Sequence, residues 1–335
     1  MSNDHRFLVV GCGSIGKRHM GNLLALGVST VIGMDPRADR REEAESSLGV
    51  ATVSSLEEAW GHQPDVAVIA TPSSLHVPLA LEAARQGCHL FIEKPLSNRM
   101  EGVDEFLDVV TERDLTALVG CNLRLHHGPA TVKRLLDEKA IGHVISAQLD
   151  SGQYLPDWHP WEDYRDMYSA ISSQGGGVVL DGIHEIDYAR WLFGEVEGVF
   201  AQGGKLSSLE IDTEDTVDIL MNMVDGTNVS IHMDYLQRDY WRTCKVVGEE
   251  GTIVWDVKNK GVQMYSANTG EWSEFPNPHD YDVNQMYLDE MQHFLACLNG
   301  KESPALNAGD AKRVLEIALA IKASMASGEK KDVSP

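Results

Sequence analysis

Two short stretches of the chain carry residue types able to move protons. The first is Glu93-Lys94-Pro95, which directly follows an apolar, strand-like run over residues 89–92. A lysine desolvated beside a cationic ring has its ammonium form disfavoured, which lowers its pKa toward neutrality and makes it a usable proton donor or acceptor. The same two charges also read as a plain surface ion pair. The second stretch is Gly175-Gly176-Gly177-Val178-Val179-Leu180-Asp181-Gly182-Ile183-His184-Glu185-Ile186-Asp187. Here Asp181 and His184 stand three apart and so share one face of a helical turn. A neutral imidazole can take a hydroxyl proton while the carboxylate fixes its tautomer, which is what an alcohol oxidation needs. The competing reading makes Asp181 a helix N-cap and His184 a hydrogen-bonded core residue. His184, Glu185 and Asp187 also lie close together, yet the rest of the chain supplies no matching ligand set and hydride transfer requires none, so no metal is expected.

A hydride needs an acceptor, and the N-terminus offers a place for one. Residues 7–10 form an apolar strand that runs into Gly11-Cys12-Gly13-Ser14-Ile15-Gly16, and a helical pattern follows. Gly11 lets the chain turn out of the strand, Gly13 lets backbone approach a pyrophosphate, and Gly16 lets the helix pack on the sheet. Ser14 and Ile15 open that helix, whose N-terminus favours the phosphates. Three glycines at this spacing also occur in ordinary strand-to-helix loops. A second strand, residues 30–34, ends in Asp35, 19 residues past Gly16, where a carboxylate can hold the ribose hydroxyls. A carboxylate there repels a 2'-phosphate and favours NAD over NADP, while Arg37 could stack on adenine or hold a phosphate.

The surrounding pattern explains how such groups would be positioned. Strand-like runs at 65–70, 89–92 and 115–119 alternate with helical stretches at 77–86 and 99–112, the signature of a parallel sheet. After Asn122 the pattern changes to a helix at 129–138, a strand at 144–149, an aromatic loop and a helix at 178–192. Alternating strands follow: Val217, Ile219, Met221 and Met223 face one way and, beyond the Asp225-Gly226 turn, Val229, Ile231, Met233 and Tyr235 do the same. Helices at 283–298 and 308–327 end the fold. The expected architecture is therefore α/β: an N-terminal Rossmann domain over residues 1–121, then a C-terminal α/β domain over 122–327 with a large open, mostly antiparallel sheet, and a frayed tail over 328–335. Such a sheet needs cover on both faces, and a second subunit supplies the missing one.

Composition narrows the partners. The chain has 335 residues, 43% hydrophobic and 24% charged, an ordinary globular balance that fits two domains. With 28 Lys+Arg against 51 Asp+Glu, the formal net charge of −23 argues against nucleic acid or an anionic membrane as partner. No apolar run has the length of a membrane span, and residues 1–5 lack the basic region of a signal peptide, so a cytoplasmic protein is expected. Five scattered cysteines with no CxxC pair suggest reduced, structural thiols.

GCGSIGKRH, ATPSSLH over 70–76, EKPLS over 93–97, Asn122-Leu123-Arg124 and GGGVVLDGIHEIDYARWLFG over 175–194 together resemble the glucose–fructose oxidoreductase, inositol dehydrogenase and MocA (Gfo/Idh/MocA) family. The resemblance spans nearly the whole chain in the right order. It implies a Rossmann domain and a second domain whose open sheet mediates homodimers or homotetramers. It implies Lys94 and His184 as the acid/base pair beside the substrate carbon, with Asp181 assisting. Thr71, Pro72, Ser73 and His76 would line the nicotinamide side of the cofactor, with Glu93, Lys94 and Asn122 also near it. One departure stands out: the family's Asp commonly lies four residues before the His, where this chain has Leu180, and Asp181 lies three before.

The implied activity is NAD-dependent oxidation of a secondary alcohol, or reduction of the matching ketone, in a sugar, cyclitol or sugar derivative. The aromatic loop over 152–165 suits such a substrate, because Tyr154, Trp158 and Tyr164 offer flat faces to sugar C–H groups. Arg124 and Arg165 could hold a carboxylate or phosphate. The aromatics could equally serve as packing. Two other activities share the fold: a redox-neutral glycosidase using NAD transiently, and a non-catalytic NAD-binding regulator, against which the intact Lys94, Asp181 and His184 argue.

Overall fold

The computed structural model describes residues 5–259, 261–279 and 281–333. In chain order its main elements are β1 Arg6–Val10, α1 Ser14–Ala25, β2 Thr30–Met34, α2 Ala38–Leu48, β3 Ala51–Val53, α3 Leu56–Gly61, β4 Val66–Ile69, α4 His76–Arg85, β5 His89–Glu93, α5 Val103–Glu112, β6 Ala117–Gly120 and α6 His127–Asp137. There follow β7 Val144–Gly152, α7 Val178–Asp181, α8 Ile183–Phe193, β8 Val196–Gly204, β9 Thr216–Met223, β10 Asn228–Asp234, β11 Trp241–Gly248, β12 Gly251–Asp256, β13 Gly261–Ser266, β14 Glu271–Pro276, α9 Val283–Leu298, α10 Ala308–Ser327 and β15 Lys331–Asp332. They fall into two units, Met1–Asn122 with Asp282–Lys312, and Leu123–Tyr281 with Arg313–Pro335.

The first unit is built on a six-stranded sheet in the order β3-β2-β1-β4-β5-β6. Every neighbouring pair is parallel. Its central strands are buried on both faces, which is why they read as unbroken apolar runs and not as alternation. The short β3 was not foreseen, being only three residues long. Helix α9 belongs here, whereas the expected second domain over 122–327 included it. Its Met291, Phe294 and Leu295 share one apolar cluster with Phe7, Val9, Met20, Leu23 and Phe91. The Phe91 and Phe294 rings meet edge-on at 5.5 Å. Burying each such side chain contributes about 1.5–3 kcal/mol, enough to draw the returning helix onto this sheet.

The second unit holds a nine-stranded sheet, β14-β13-β12-β11-β7-β10-β9-β8-β15. All pairs are antiparallel except β10 with β7. The predicted hairpin forms with Met221 opposite Val229 and Ile219 opposite Ile231. Those residues are buried on the face that α7 packs against, whereas Phe200 and Leu220 on the other face are 39% and 56% exposed.

Two expectations are corrected in this unit. The helix over 178–192 is split, because Gly182 has φ −82° and ψ 22° and separates α7 from α8. A Cβ at Gly182 would come within 2.6 Å of the Val178 carbonyl oxygen and 2.9 Å of the Met233 sulfur, so only glycine permits this close pass under the sheet. The expected frayed tail is ordered through Val333: Lys331 and Asp332 pair with β8, the Val333 N–H donates to the Glu197 carbonyl at 2.9 Å, and Val333 is buried. Satisfied edge-strand backbone and one buried apolar side chain hold it down. The last two residues of that expected tail lie outside the described residues. Among the described residues no helix is long and apolar enough to cross a membrane.

Candidate active site

In the first unit the strand order reverses between β1 and β4, and loops leaving the carboxyl ends of β1, β4 and β5 carry GCGSIG, residues 70–73 and Lys94. Open α/β sheets collect ligands at such a switch point. Gly11 has φ +103°, and a Cβ there would stand 2.4 Å from the Ala70 carbonyl oxygen. A Cβ on Gly16 would stand 1.8 Å from the Gly11 carbonyl oxygen. At Gly13 the nearest atom would be Arg40 Nη1 at 3.8 Å, so the second glycine leaves open space where the other two are forced by packing. Ser14 begins α1 in solvent and Ile15 packs on the core.

Asp35 is buried, and its carboxylate accepts the N–H groups of Cys12 and Arg37, each at 2.9 Å. A carboxylate offers about four acceptor positions, so capacity remains for ribose hydroxyls. Arg37 turns outward to Asp39, with Nε at 3.1 Å and Nη2 at 2.5 Å, while Arg40 comes within 3.7 Å of Asp35. Open space at Gly13 beside a buried carboxylate fits a dinucleotide with a free 2'-hydroxyl.

Lys94 is partly exposed between buried Glu93 and Pro95. Glu93 accepts the Lys94 N–H at 3.2 Å and meets Nε2 of fully buried His19 at 2.6 Å. Burial alone would push the Glu93 carboxyl up, but the His19 hydrogen bond and the nearby Lys94 charge help hold it below its usual range. The surface ion-pair reading of Glu93-Lys94 therefore fails, since Glu93 is inside and tied to α1. His76 is also buried, with Nδ1 2.7 Å from the Pro95 carbonyl oxygen and Nε2 2.8 Å from that of Thr71. It bridges the loops after β4 and β5 as a strut, and burial lowers its pKa. Ser73 is buried beside Pro72, and the Asn122 side chain hydrogen-bonds the Tyr287 phenol.

The second unit presents His184 partly exposed on α8, unlike a packed core histidine. Asp181 ends α7, which removes the N-cap reading: Gly177 and Gly182 are the N-cap residues of α7 and α8. The Asp181 carboxylate is buried and accepts hydroxyl protons from Tyr168, from Ser169 at 2.6 Å and from Tyr235 at 3.3 Å. Three hydroxyls thus fix the orientation of this carboxylate. Burial pushes the Tyr235 phenol well above its ordinary pKa, so it remains a donor.

Two buried ion pairs flank His184 on the same helix. Arg124 reaches Asp187 through Nε at 2.9 Å and Nη2 at 2.7 Å, with side chains 8% and 1% exposed. Arg242 from β11 reaches Glu185 at 2.7 Å. Arg124, expected to hold substrate, is thus committed to α8. Arg165, the other expected anion-binding residue, is exposed and grips Asp163 with Glu210 at 3.0 Å. Its hydrogen bonds hold the Asp163 carboxyl down at about 2.

In the aromatic loop, Trp158 meets the Tyr235 ring edge-on at 5.3 Å, and the Tyr164 hydroxyl accepts the Glu210 N–H at 3.1 Å. Sequence reasoning missed His19, Tyr168, Ser169 and Arg242. His19 alone carried a signal, lying three residues past Gly16 on the buried face of α1. Among the described residues there is no cluster of three or more His, Cys, Asp or Glu that could hold a metal ion.

Comparison with known proteins agrees with this geometry. Residues 5–121 match the oxidoreductase family with NAD-binding Rossmann fold of the Gfo/Idh/MocA group, and residues 130–254 match the Gfo/Idh/MocA C-terminal domain. Myo-inositol 2-dehydrogenase of Thermotoga maritima is 27% identical, over 96% of this chain and 96% of its own. NAD-dependent scyllo-inositol 2-dehydrogenase of Bacillus subtilis is 26% identical, over 98% of this chain and 96% of its own. Levoglucosan dehydrogenase, solved with NADH and levoglucosan, superposes with a TM-score of 0.88 at 22% identity, covering 99% of this chain and 100% of that one. The chain therefore belongs to the Gfo/Idh/MocA family and is an NAD-dependent oxidoreductase.

Proposed function

We propose that the protein oxidises a secondary alcohol of a sugar, cyclitol or sugar derivative, or reduces the matching ketone. The observation that carries this reading is His184, a partly exposed imidazole on a helix pinned by two buried ion pairs, three residues past a carboxylate held by three hydroxyls. We assign cofactor binding to the first unit, through Gly11, Gly13, Gly16 and Asp35, and substrate binding and assembly to the second. When bound, NAD supplies the hydride acceptor. His184 and Lys94 take and return the hydroxyl proton, with Asp181 assisting. The relatives named for myo-inositol, scyllo-inositol and levoglucosan support a polyhydroxylated substrate. A panel of sugars, cyclitols and their phosphates, assayed for NADH formation with a parallel search for bound cofactor, tests the reading. Absence of turnover across that panel overturns it.

The cofactor assignment makes its own prediction. The protein should bind NAD(H) more tightly than NADP(H), because the buried Asp35 carboxylate opposes a 2'-phosphate. Asp35→Ala should narrow that gap in fluorescence titrations. A preference for NADP(H) in the parent would move attention to Arg37 and Arg40.

The open sheet face points to a second copy of this chain as its cover, giving a homodimer or homotetramer. Phe200 and Leu220 stand exposed there among Gln148, Asp218, His232 and Lys245, a mixed surface of the kind oligomers bury. Leu220→Glu should shift the mass measured by light scattering toward the monomer, and an unchanged mass would refute this face as the interface. The five cysteines, buried and unbridged, suit a cytoplasmic location.

A further inference from the structure

We propose that Arg238 grips an anionic group, a carboxylate or a phosphate, carried by the substrate; the inference rests on the sugar-alcohol reading above. Arg238 lies exposed in the loop joining β10 to β11, and its guanidinium carbon stands 3.6 Å from the centre of the Tyr154 ring. Contact with the ring face restrains the guanidinium, whose planar fork of N–H donors matches a two-oxygen acceptor.

The loop that carries it is held in place. Asp234 Oδ1 accepts the N–H groups of Leu236 and Gln237 at 2.6 and 2.8 Å. The Gln237 amide donates to Asp234 Oδ2 at 2.8 Å and Asp150 Oδ1 at 3.1 Å. The strand end bearing Tyr154 is bound to the same loop: the Gln153 N–H donates to the Asp234 carbonyl at 3.3 Å and the Leu155 N–H to the Tyr235 carbonyl at 3.0 Å. Tyr235, three residues before Arg238, in turn donates to Asp181 at 3.3 Å. One short, braced segment thus links the cation to the Asp181 carboxylate, three residues before His184.

Electrostatics singles out this arginine. The six other arginines of the second unit all meet carboxylates: Arg124 with Asp187, Arg134 with Glu138, Arg165 with Asp163, Arg190 with Glu195, Arg242 with Glu185 and Arg313 with Glu316. Among the described residues Arg238 meets none, and the acid beside it, Asp239, is taken by Lys258. In a chain of net charge −23, a fixed guanidinium without an internal counter-ion is where an incoming anion gains most. The two arginines expected from sequence to bind such an anion are both neutralised internally, which leaves the role to Arg238.

The test compares a hexuronate, a hexose phosphate and the matching neutral hexose on the NADH-loaded and NAD-loaded protein, by calorimetry and by initial rates. The parent should favour one anionic member over the neutral sugar, the carboxylate and phosphate arms showing which. Arg238→Ala should cut that preference by about tenfold or more, and Arg238→Lys, which keeps charge but loses the planar fork, should restore part of it. A parent without preference, or an Arg238→Ala protein with the parent's ratio, overturns the proposal. Anion binding that depends on Arg238 without turnover would sink the dehydrogenase reading and leave this site standing. Turnover with a ratio indifferent to Arg238 would do the reverse.

Discussion

His184→Ala and Lys94→Ala should each lower turnover by about 10² to 10⁴, the usual worth of a positioned proton-transfer group. The glycine loop and Asp35, which fit the phosphates and ribose of the dinucleotide, are kept in both variants, so cofactor affinity should fall far less than turnover. Partial exposure of both side chains means that neither truncation opens a cavity in the core, and the loss should appear in kcat with the thermal midpoint little changed. Glu93→Gln is the informative companion. It weakens the bond from buried His19 and the hold on the Lys94 backbone, so it should depress kcat by less than Lys94→Ala while shifting the pH profile. Stopped-flow measurement of NADH formation separates hydride transfer from product release. Near-normal turnover in His184→Ala would reduce that residue to a structural role.

Much of this arrangement was legible because it is local in sequence. The glycines of the first loop, Asp35 at a strand end, Lys94 at another and the inward alternation of β9 and β10 are each fixed by spacing along one element. What escaped was set by distant partners. Nothing near Arg124 signals that Asp187, far along the chain, takes both prongs of its guanidinium, nor does residue 165 announce Glu210. The three donors on Asp181 come from residues 168, 169 and 235, brought together only once the sheet lies under α7. The helix break at Gly182 escaped for a related reason. Glycine within an apolar helical pattern reads as a mild penalty, and its cause, the sulfur of Met233 pressed against it, belongs to another strand. Helix α9 was recognised as a helix but placed in the wrong unit, because an amphipathic pattern reports that a face is buried and not what buries it.

The salt bridge from Arg124 to Asp187 turns an expected binding effect into an expected stability effect. A substrate-gripping Arg124 would, on truncation, raise KM and leave folding untouched. A guanidinium 8% exposed that holds a carboxylate 1% exposed does the opposite. Arg124→Ala strands the Asp187 charge in the interior, and breaking such a pair from one side costs about 3–5 kcal/mol, a large part of the 5–15 kcal/mol that typically holds a domain folded. Urea titration should show a markedly lower midpoint, with activity lost in step because α8 carries His184. Removing both charges together, as Arg124→Met with Asp187→Leu, should recover most of the stability, since no buried charge is then left alone. Arg165→Ala provides the contrast: its partners Asp163 and Glu210 lie in solvent and can be hydrated on its loss, so the midpoint should stay near the parent's. If Arg124→Ala instead kept the parent's midpoint and raised KM alone, the ion pair would be dispensable to folding and the substrate-binding role would return.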